Sequence, residues 1–317
     1  MAKKPDWLPS WQEDSSKLEI IRFIDDVTNP NSLNFVPQAS RVAVFDNDGT
    51  LWSEQPAYFQ LVFAIEKLKQ KAANDPSIVT NDFLRIAVEE DIEKLMSVGD
   101  AALLEIVNLT HTGLSVEEFQ AEVANWLEVA IHPVMQKRYK DMVFAPMVEL
   151  LRYLDSKGFK SWIVSGGGIH FMRAFASETY GIPIERIIGS SNNALYKVID
   201  GVGAIVKRPG LLFLDDGASK PIGIDAHIGQ RPIFAAGNSD GDFEMLEYTT
   251  SGQGPSMGLI VHHTDDKREF AYDHVSFFGK LERGLKEAED RGWLVVDMKK
   301  SWKRVWIDEL KRNDDSM

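Results

Sequence analysis

The chain contains no cysteine. That excludes disulfides, thiolate nucleophiles, iron–sulfur clusters and cysteine-ligated zinc, and it leaves the compartment open. Long apolar runs are missing too: no stretch approaches the ~18 residues that a membrane helix needs. Basic residues are in deficit, with 35 Lys and Arg against 48 Asp and Glu and a formal net charge of −13. Such a balance lacks the electrostatic footprint of a nucleic-acid partner. Neither nucleic acid nor a membrane is expected as a partner, and the oligomeric state is left open. An anionic substrate would need local cations to overcome the overall field. There is no internal repeat and no low-complexity segment. The 317 residues, 44% apolar and 26% charged, are those of an ordinary globular protein with one large or two medium domains. At the start, Met1-Ala2-Lys3-Lys4-Pro5-Asp6 has basic residues without an apolar stretch behind them, so it is not a signal peptide as it stands. The expected location is cytoplasmic, or periplasmic if a signal has been removed.

What is present is concentrated at one place. Val42-Ala43-Val44-Phe45 reads as a short buried strand and runs straight into Asp46-Asn47-Asp48-Gly49-Thr50. Two carboxylates at i and i+2 share one side of a continuing strand. The glycine predicts a turn, which can aim both into one small space. Carboxylates that close repel unless a cation or a shared proton intervenes. The pair therefore predicts a metal site, a proton-transfer site, or both.

Around this point the chain divides. Residues 1–40 read as a leader with an amphipathic helix near Ser16–Val27, capped by Ser15 or Ser16, packing on the core. Residues 54–140 carry apolar positions at three- and four-residue spacing and no convincing strand. Helices are expected at Ala57–Ala73, Asn81–Met96, Asp100–Asn108 and Ser115–Tyr139. In residues 41–53 and 141–317, short apolar strands alternate with helices. Expected there are strand Ser161–Val164, a turn at Gly166-Gly167-Gly168, helix His170–Tyr180, a hairpin across Asp200-Gly201 within Leu195–Val206, and a separate strand Leu211–Leu214. The fold class is α/β: a Rossmann-like parallel sheet with helices on both faces, plus an inserted all-helical cap.

Open α/β sheets bind ligands at the carboxyl ends of their strands. Three strand ends here carry unusual polar groups: Asp46/Asp48, Ser165 with its three glycines, and Asn238-Ser239-Asp240-Gly241-Asp242. The glycine loop suits an oxyanion or phosphate by its physics, or is an ordinary βα turn. It has neither the G-x-G-x-x-G spacing nor the P-loop lysine pattern. The Asn238–Asp242 cluster offers only oxygen ligands, which suit Mg²⁺, Mn²⁺ or Ca²⁺ rather than zinc.

The order of these pieces resembles the haloacid dehalogenase-like superfamily of aspartate-nucleophile phosphohydrolases. Val42–Thr50 matches the D-x-D-x-T motif after four apolar residues. Trp162-Ile163-Val164-Ser165 matches the second, Lys220 the third, and Gly237–Asp242 the fourth. Phe144-Ala145-Pro146 through Gly168 is similar to phosphoserine phosphatase-type enzymes. The resemblance implies Asp46 as nucleophile forming an aspartyl-phosphate, and Asp48 as the acid that protonates the leaving alcohol and then activates water. It implies Thr50 fixing the loop, Ser165, Gly166 and Gly167 binding the phosphoryl group, and Lys220 neutralising its charge, with Lys207 as rival for that lysine. Mg²⁺ is implied at Asp46, Asp48, Asn238 and Asp242, with Asp240 the less certain ligand. Position 238 is usually Asp in this family; Asn238 either ligates more weakly or yields to Asp240 or Asp242.

The implied activity is a Mg²⁺-dependent phosphomonoesterase for a small phosphorylated metabolite. Alternatives are a phosphate-ligand binding module without turnover and a phosphotransferase or mutase. Glu54 reads as a contact for a substrate ammonium or as a solvated surface group. Trp52, Tyr58 and Phe59 read as cap–core packing or as a surface for a quaternary amine. His170, His262 and His263 follow strand ends and are further candidates.

Overall fold

In the computed structural model, residues 6–90, 94–95 and 100–308 are described. The expectations for residues 1–5 and 309–317 lie outside them, whereas the helix placed at Asn81–Met96 already stops at Val88, and Glu90 beyond it takes φ 60°. Seven strands form one sheet in the order β4-β3-β2-β1-β5-β6-β7. These are β1 Val42–Phe45, β2 Lys160–Gly168, β3 Ile187–Ile199, β4 Val202–Phe213, β5 Phe234–Gly237, β6 Met257–His262 and β7 Leu294–Asp297. All neighbours are parallel except β3 and β4.

β1 is buried on both faces, and strand alternation divides its side chains between two cores. Val42 and Val44 join Val164, Ile224, Phe243 and Trp293 on one face. Ala43 and Phe45 join Phe144, Ile20 and Trp302 on the other. Val44 pairs with Trp162 of β2 and with Ala235 of β5. That register brings the carboxyl ends of β1, β2 and β5 to one edge, where Asp46, Ser165 and Asn238 emerge.

The leader helix, α1 (Ser15–Thr28), is capped by Asp14, whose carboxylate accepts from Lys17 N at 3.0 Å, rather than by Ser15 or Ser16. A carboxylate at the N-cap also meets the positive end of the helix. Helices α2 (Phe59–Asn74), α3 (Asp82–Val88), α4 (Asp100–His111) and α5 (Val116–Val129) make up the insertion between β1 and β2. Helix α5 starts on a Ser115/Glu118 capping box and stops at Val129, ten residues short of expectation. Pro133 cannot donate to a helix, and it disfavours helical backbone at His132 before it.

Beyond α6 (Ala145–Ser156), the glycines of β2 prolong the strand instead of turning. None of Gly166, Gly167 and Gly168 adopts a positive φ, and the register against β3 shifts between Ser165 and Gly168. Glycine permits a turn without requiring one. The helix expected at His170–Tyr180 is two short ones, α7 (Ile169–Arg173) and α8 (Ala176–Tyr180). The hairpin is longer than expected: β4 continues to Phe213 and absorbs the strand placed at Leu211–Leu214. Asp200 (φ 51°) and Gly201 (φ 81°) make its two-residue turn. β4 also docks on the insertion through the backbone. Gly113 N donates to Lys207 O at 3.0 Å, and Lys207 N donates to Leu114 O at 2.9 Å. After β4 come α9 (Ser219–Ile228), α10 (Phe243–Thr250) and α11 (Arg283–Arg291). Among the described residues, no helix is long and apolar enough to cross a membrane.

Candidate active site

Asp46 follows β1 and is 6% exposed. Its Oδ1 accepts from Lys220 Nζ at 2.7 Å, and the same ammonium donates to Asp242 Oδ1 at 2.5 Å. Lys220 lies in the first turn of α9, and Asp242 follows β5, so three segments meet at one cation. The other oxygen of Asp242 accepts from Asn238 N (2.9 Å) and Ser239 N (3.0 Å), which pins the turn after β5. Burial, with Asp242 and Asp48 nearby, pushes the Asp46 carboxyl well above its usual range despite Lys220. Burial alone would lower the Lys220 ammonium, yet Asp242 and Asp46 hold it above its ordinary value. Lys207 contacts neither carboxylate; its ammonium lies beside His170 and Asn192.

Asp48 is raised by burial, against the pull of the Trp52 indole, which donates to its Oδ1 at 2.8 Å. Between the two aspartates, Asn47 Oδ1 accepts from Tyr180 at 3.0 Å. Gly49 has φ 71°, and a Cβ there would run into Asn238 and Glu54. This position therefore requires glycine on both conformational and spatial grounds. Thr50 is fully buried and donates to Asn238 Oδ1 at 3.1 Å, tying the turn after β1 to the turn after β5.

Glu54 is not solvated. At 1% exposure, its Oε1 accepts from Asn238 Nδ2 at 2.7 Å and from Tyr272 at 2.8 Å. Burial raises its carboxyl well above the usual range, with Asp48 and Asp46 adding to the rise and the Tyr272 hydroxyl opposing it. A carboxylate thus stands against the amide at position 238. Asp240 points elsewhere. Its oxygens accept from the backbone N of Glu282, Arg283 and Gly284 at 2.8–3.2 Å, capping α11. Asp240 is taken up as a cap, and both oxygens of Asp242 are engaged as well, by Lys220 and by the backbone of Asn238 and Ser239, so of the expected ligands from this turn Asn238 is the one whose side-chain oxygen faces the turn after β1.

On β2, Ser165 is 1% exposed and its Oγ accepts from Gly167 N at 3.1 Å. Gly166 O accepts from Ser190 Oγ at 2.7 Å. Gln60 of α2 reaches this loop and accepts from Gly168 N at 2.7 Å. Trp52 and Phe59 are enclosed: Trp52 stacks on Phe175 at 4.4 Å and lies 4.8 Å from Phe59. They make packing rather than an open face for an amine, and Tyr58 packs edge-on against Phe278. His263 is buried and donates from Nε2 to Gly49 O at 2.7 Å, with Nδ1 3.0 Å from Glu269. It holds the turn after β1 from behind. His262 points to Asp273, 3.7 Å away.

Residues 43–247 match the haloacid dehalogenase-like hydrolase family. The chain belongs to that family. No curated protein matches it in sequence. Among solved structures it is similar to a conserved functionally unknown protein from Anaerococcus prevotii DSM 20548. That likeness has a TM-score of 0.58 and 16% identity over 92% of this chain and 94% of the other. A protein with unknown function from Bordetella pertussis Tohama I follows at TM-score 0.51 and 17% identity, over 82% and 99%. A phosphoserine phosphohydrolase-like protein from Francisella tularensis subsp. tularensis SCHU S4 is more distant, at TM-score 0.41 and 16% identity over 79% and 98%. These likenesses are of fold alone.

Sequence reasoning about this hydrolase of the haloacid dehalogenase-like family missed several contacts. Gln60 on the glycine loop, Tyr272 on Glu54 and Asp215 beside Lys220 all lay outside it. Burial pushes the Asp215 carboxyl up to about 7. Gln60 falls just past the aromatic cluster that drew attention, and nothing local marks it.

Proposed function

We propose that the chain is a Mg²⁺-dependent phosphomonoesterase that cleaves a small organic phosphate through an aspartyl-phosphate on Asp46. The observation that carries this reading is the Asp46–Lys220–Asp242 arrangement at the strand edge, 2.7 and 2.5 Å across its two contacts, with Asp48 two residues away. The Asp46 carboxylate attacks phosphorus and the ester P–O bond breaks. The leaving oxygen takes a proton from Asp48, whose raised carboxyl suits proton donation. Asp48 then accepts a proton from water, which attacks the same phosphorus and frees Asp46 with release of phosphate. Lys220 and the Ser165–Gly167 loop balance charge on the phosphoryl oxygens. A hydrolase lacking the second carboxylate could not move these protons, so Asp48 favours phosphoester over carbon–halogen chemistry.

The donors fit Mg²⁺, since all are oxygens: the Asp46 carboxylate, the Asp48 backbone carbonyl and Asn238 Oδ1. No group of three acidic, His or Cys side chains able to hold a metal occurs among the described residues. Asn238 brings an amide where a carboxylate would bring charge, and the Glu54 carboxyl that accepts from this amide would return negative charge to the site once a bound cation favours its ionised form. When bound, Mg²⁺ supplies positive charge that lowers the repulsion between Asp46 and the incoming phosphate. Asp46→Asn is expected to lower Mg²⁺-dependent hydrolysis of p-nitrophenyl phosphate by about 10⁴-fold or more, the scale seen when a nucleophile is removed. Unchanged turnover in that variant sinks the mechanism.

A further inference from the structure

Lys207 is 4% exposed. Its Nζ lies 3.3 Å from His170 Nδ1 and 3.3 Å from Asn192 Oδ1, and 4.7 Å from the centre of the Phe119 ring. Among the described residues, no carboxylate pairs with it. The nearby imidazoles supply no counter-charge. Burial, then Lys207 itself, lowers His170 to about 4 and His111 to about 3, so both are neutral near pH 7. Burial without an opposing charge brings Lys207 down to about 8. A cation held this way costs free energy that Asn192 and the Phe119 ring offset only in part, and among the described residues no opposite charge does so.

The cluster is continuous with the reaction centre. Gln60 touches both: its Oε1 accepts from Gly168 N at 2.7 Å, and its Nε2 lies 3.4 Å from His111 Nε2. A side chain at Gly167 would stand 3.3 Å from Asp48 Oδ2 and 3.9 Å from Gln60 Oε1. His170 follows the same glycine loop by two residues. The leaving group of an ester held at Asp46 and Ser165 lies on the Asp48 side, because Asp48 protonates it. From there Gln60 and His170 lead to Lys207.

We propose that Lys207, with Gln60, His170 and Asn192, forms a subsite for a second anionic group, so that the substrate is a phosphomonoester whose leaving group carries a carboxylate or a second phosphate. The inference rests on the phosphomonoesterase reading and narrows its substrate class. The incoming anion supplies the counter-charge that the described residues omit, and a charge-assisted hydrogen bond there discriminates by more than a neutral one.

The test compares kcat/KM for two matched pairs: 3-phosphoglycerate against glycerol 3-phosphate, and fructose 1,6-bisphosphate against fructose 6-phosphate. Wild-type protein is expected to favour the more acidic member of at least one pair by about 10- to 100-fold, as for a hydrogen bond to a charged group. The pair that shows the preference distinguishes carboxylate from phosphate. In Lys207→Met that ratio is expected to collapse by the same factor while the melting temperature does not fall. Equal kcat/KM within both pairs for wild-type protein overturns the subsite and leaves the phosphatase reading standing. So does a ratio that survives in Lys207→Met. Hydrolysis of none of the four esters or of p-nitrophenyl phosphate overturns the phosphatase reading itself.

Discussion

Lys220 and Lys207 are buried to similar depth, at 2% and 4% exposure, in opposite surroundings. Lys220 sits between Asp46 and Asp242 and is held above its ordinary value. Lys207 sits among an imidazole, an amide and an aromatic ring, and is lowered to about 8. Depth alone therefore says nothing about what a charge contributes. The first lysine joins three segments of chain at the carboxyl edge of the sheet. The second is a local cost with no opposite charge beside it among the described residues.

The sharpest way to break this contrast is to remove each cation in turn. Lys220→Met leaves two buried carboxylates facing each other, and urea unfolding should show a loss of about 3–5 kcal/mol. A loss of about 1 kcal/mol or less, the size of an exposed pair, would erase the difference between the two regions. Next in size is the charge beside Asn238. Glu54→Gln keeps an acceptor for the Asn238 amide but removes the charge, and calorimetry should find Mg²⁺ binding weakened about 10- to 100-fold. Equal affinity in the two proteins takes Glu54 out of the metal argument.

The smallest effect concerns Lys207 and pH. Its folded-state value, about 8, lies below its ordinary value of 10.5. Below pH 8 both folded and unfolded chains carry the proton, and the full cost of burying it is present. Between pH 8 and 10.5 the folded chain sheds the proton while the unfolded chain keeps it, so wild-type stability gains with rising pH. The groups facing Lys207, namely His170, His111, Asn192 and Phe119, are uncharged throughout this window. The melting temperature of Lys207→Met should exceed that of wild type by a few degrees near pH 7, and the gap should close toward pH 10.5. A gap that does not change with pH assigns the effect to packing.

Much of the sheet is legible in the sequence because its central strands are short apolar runs buried on both faces. Val42–Phe45, apolar at every position, needs no partner to be recognised. That Lys220 belongs with Asp46 is what the resemblance implies, with Lys207 as rival, and the structure brings Lys220 to Asp46. The contacts that close the site are not legible. Glu54 and Asn238 are 184 residues apart, Gly49 and His263 are 214, and no local pattern links them. Asp240 shows the same limit from the other side. An acid in a turn after a strand reads as a ligand until the fold brings α11 to it with three backbone amides to satisfy. The glycine run of β2 misleads because a permitted turn is not an enforced one.

The backbone seam between β4 and the insertion has a mechanical consequence. The insertion is joined to the sheet domain at its stem, where Ser53 N donates to Met142 O at 3.0 Å. It is joined a second time at Gly113–Leu114 against Lys207. With Gln60 holding Gly168 N as well, the insertion is fastened at more than its stem and does not swing like a door; it behaves as a strap. Opening must either part the second fastening or flex the β3–β4 ribbon along with the helices. The stiffness of that ribbon, as well as of the stem, then bears on any parting of the helices from the strand edge that carries Asp46.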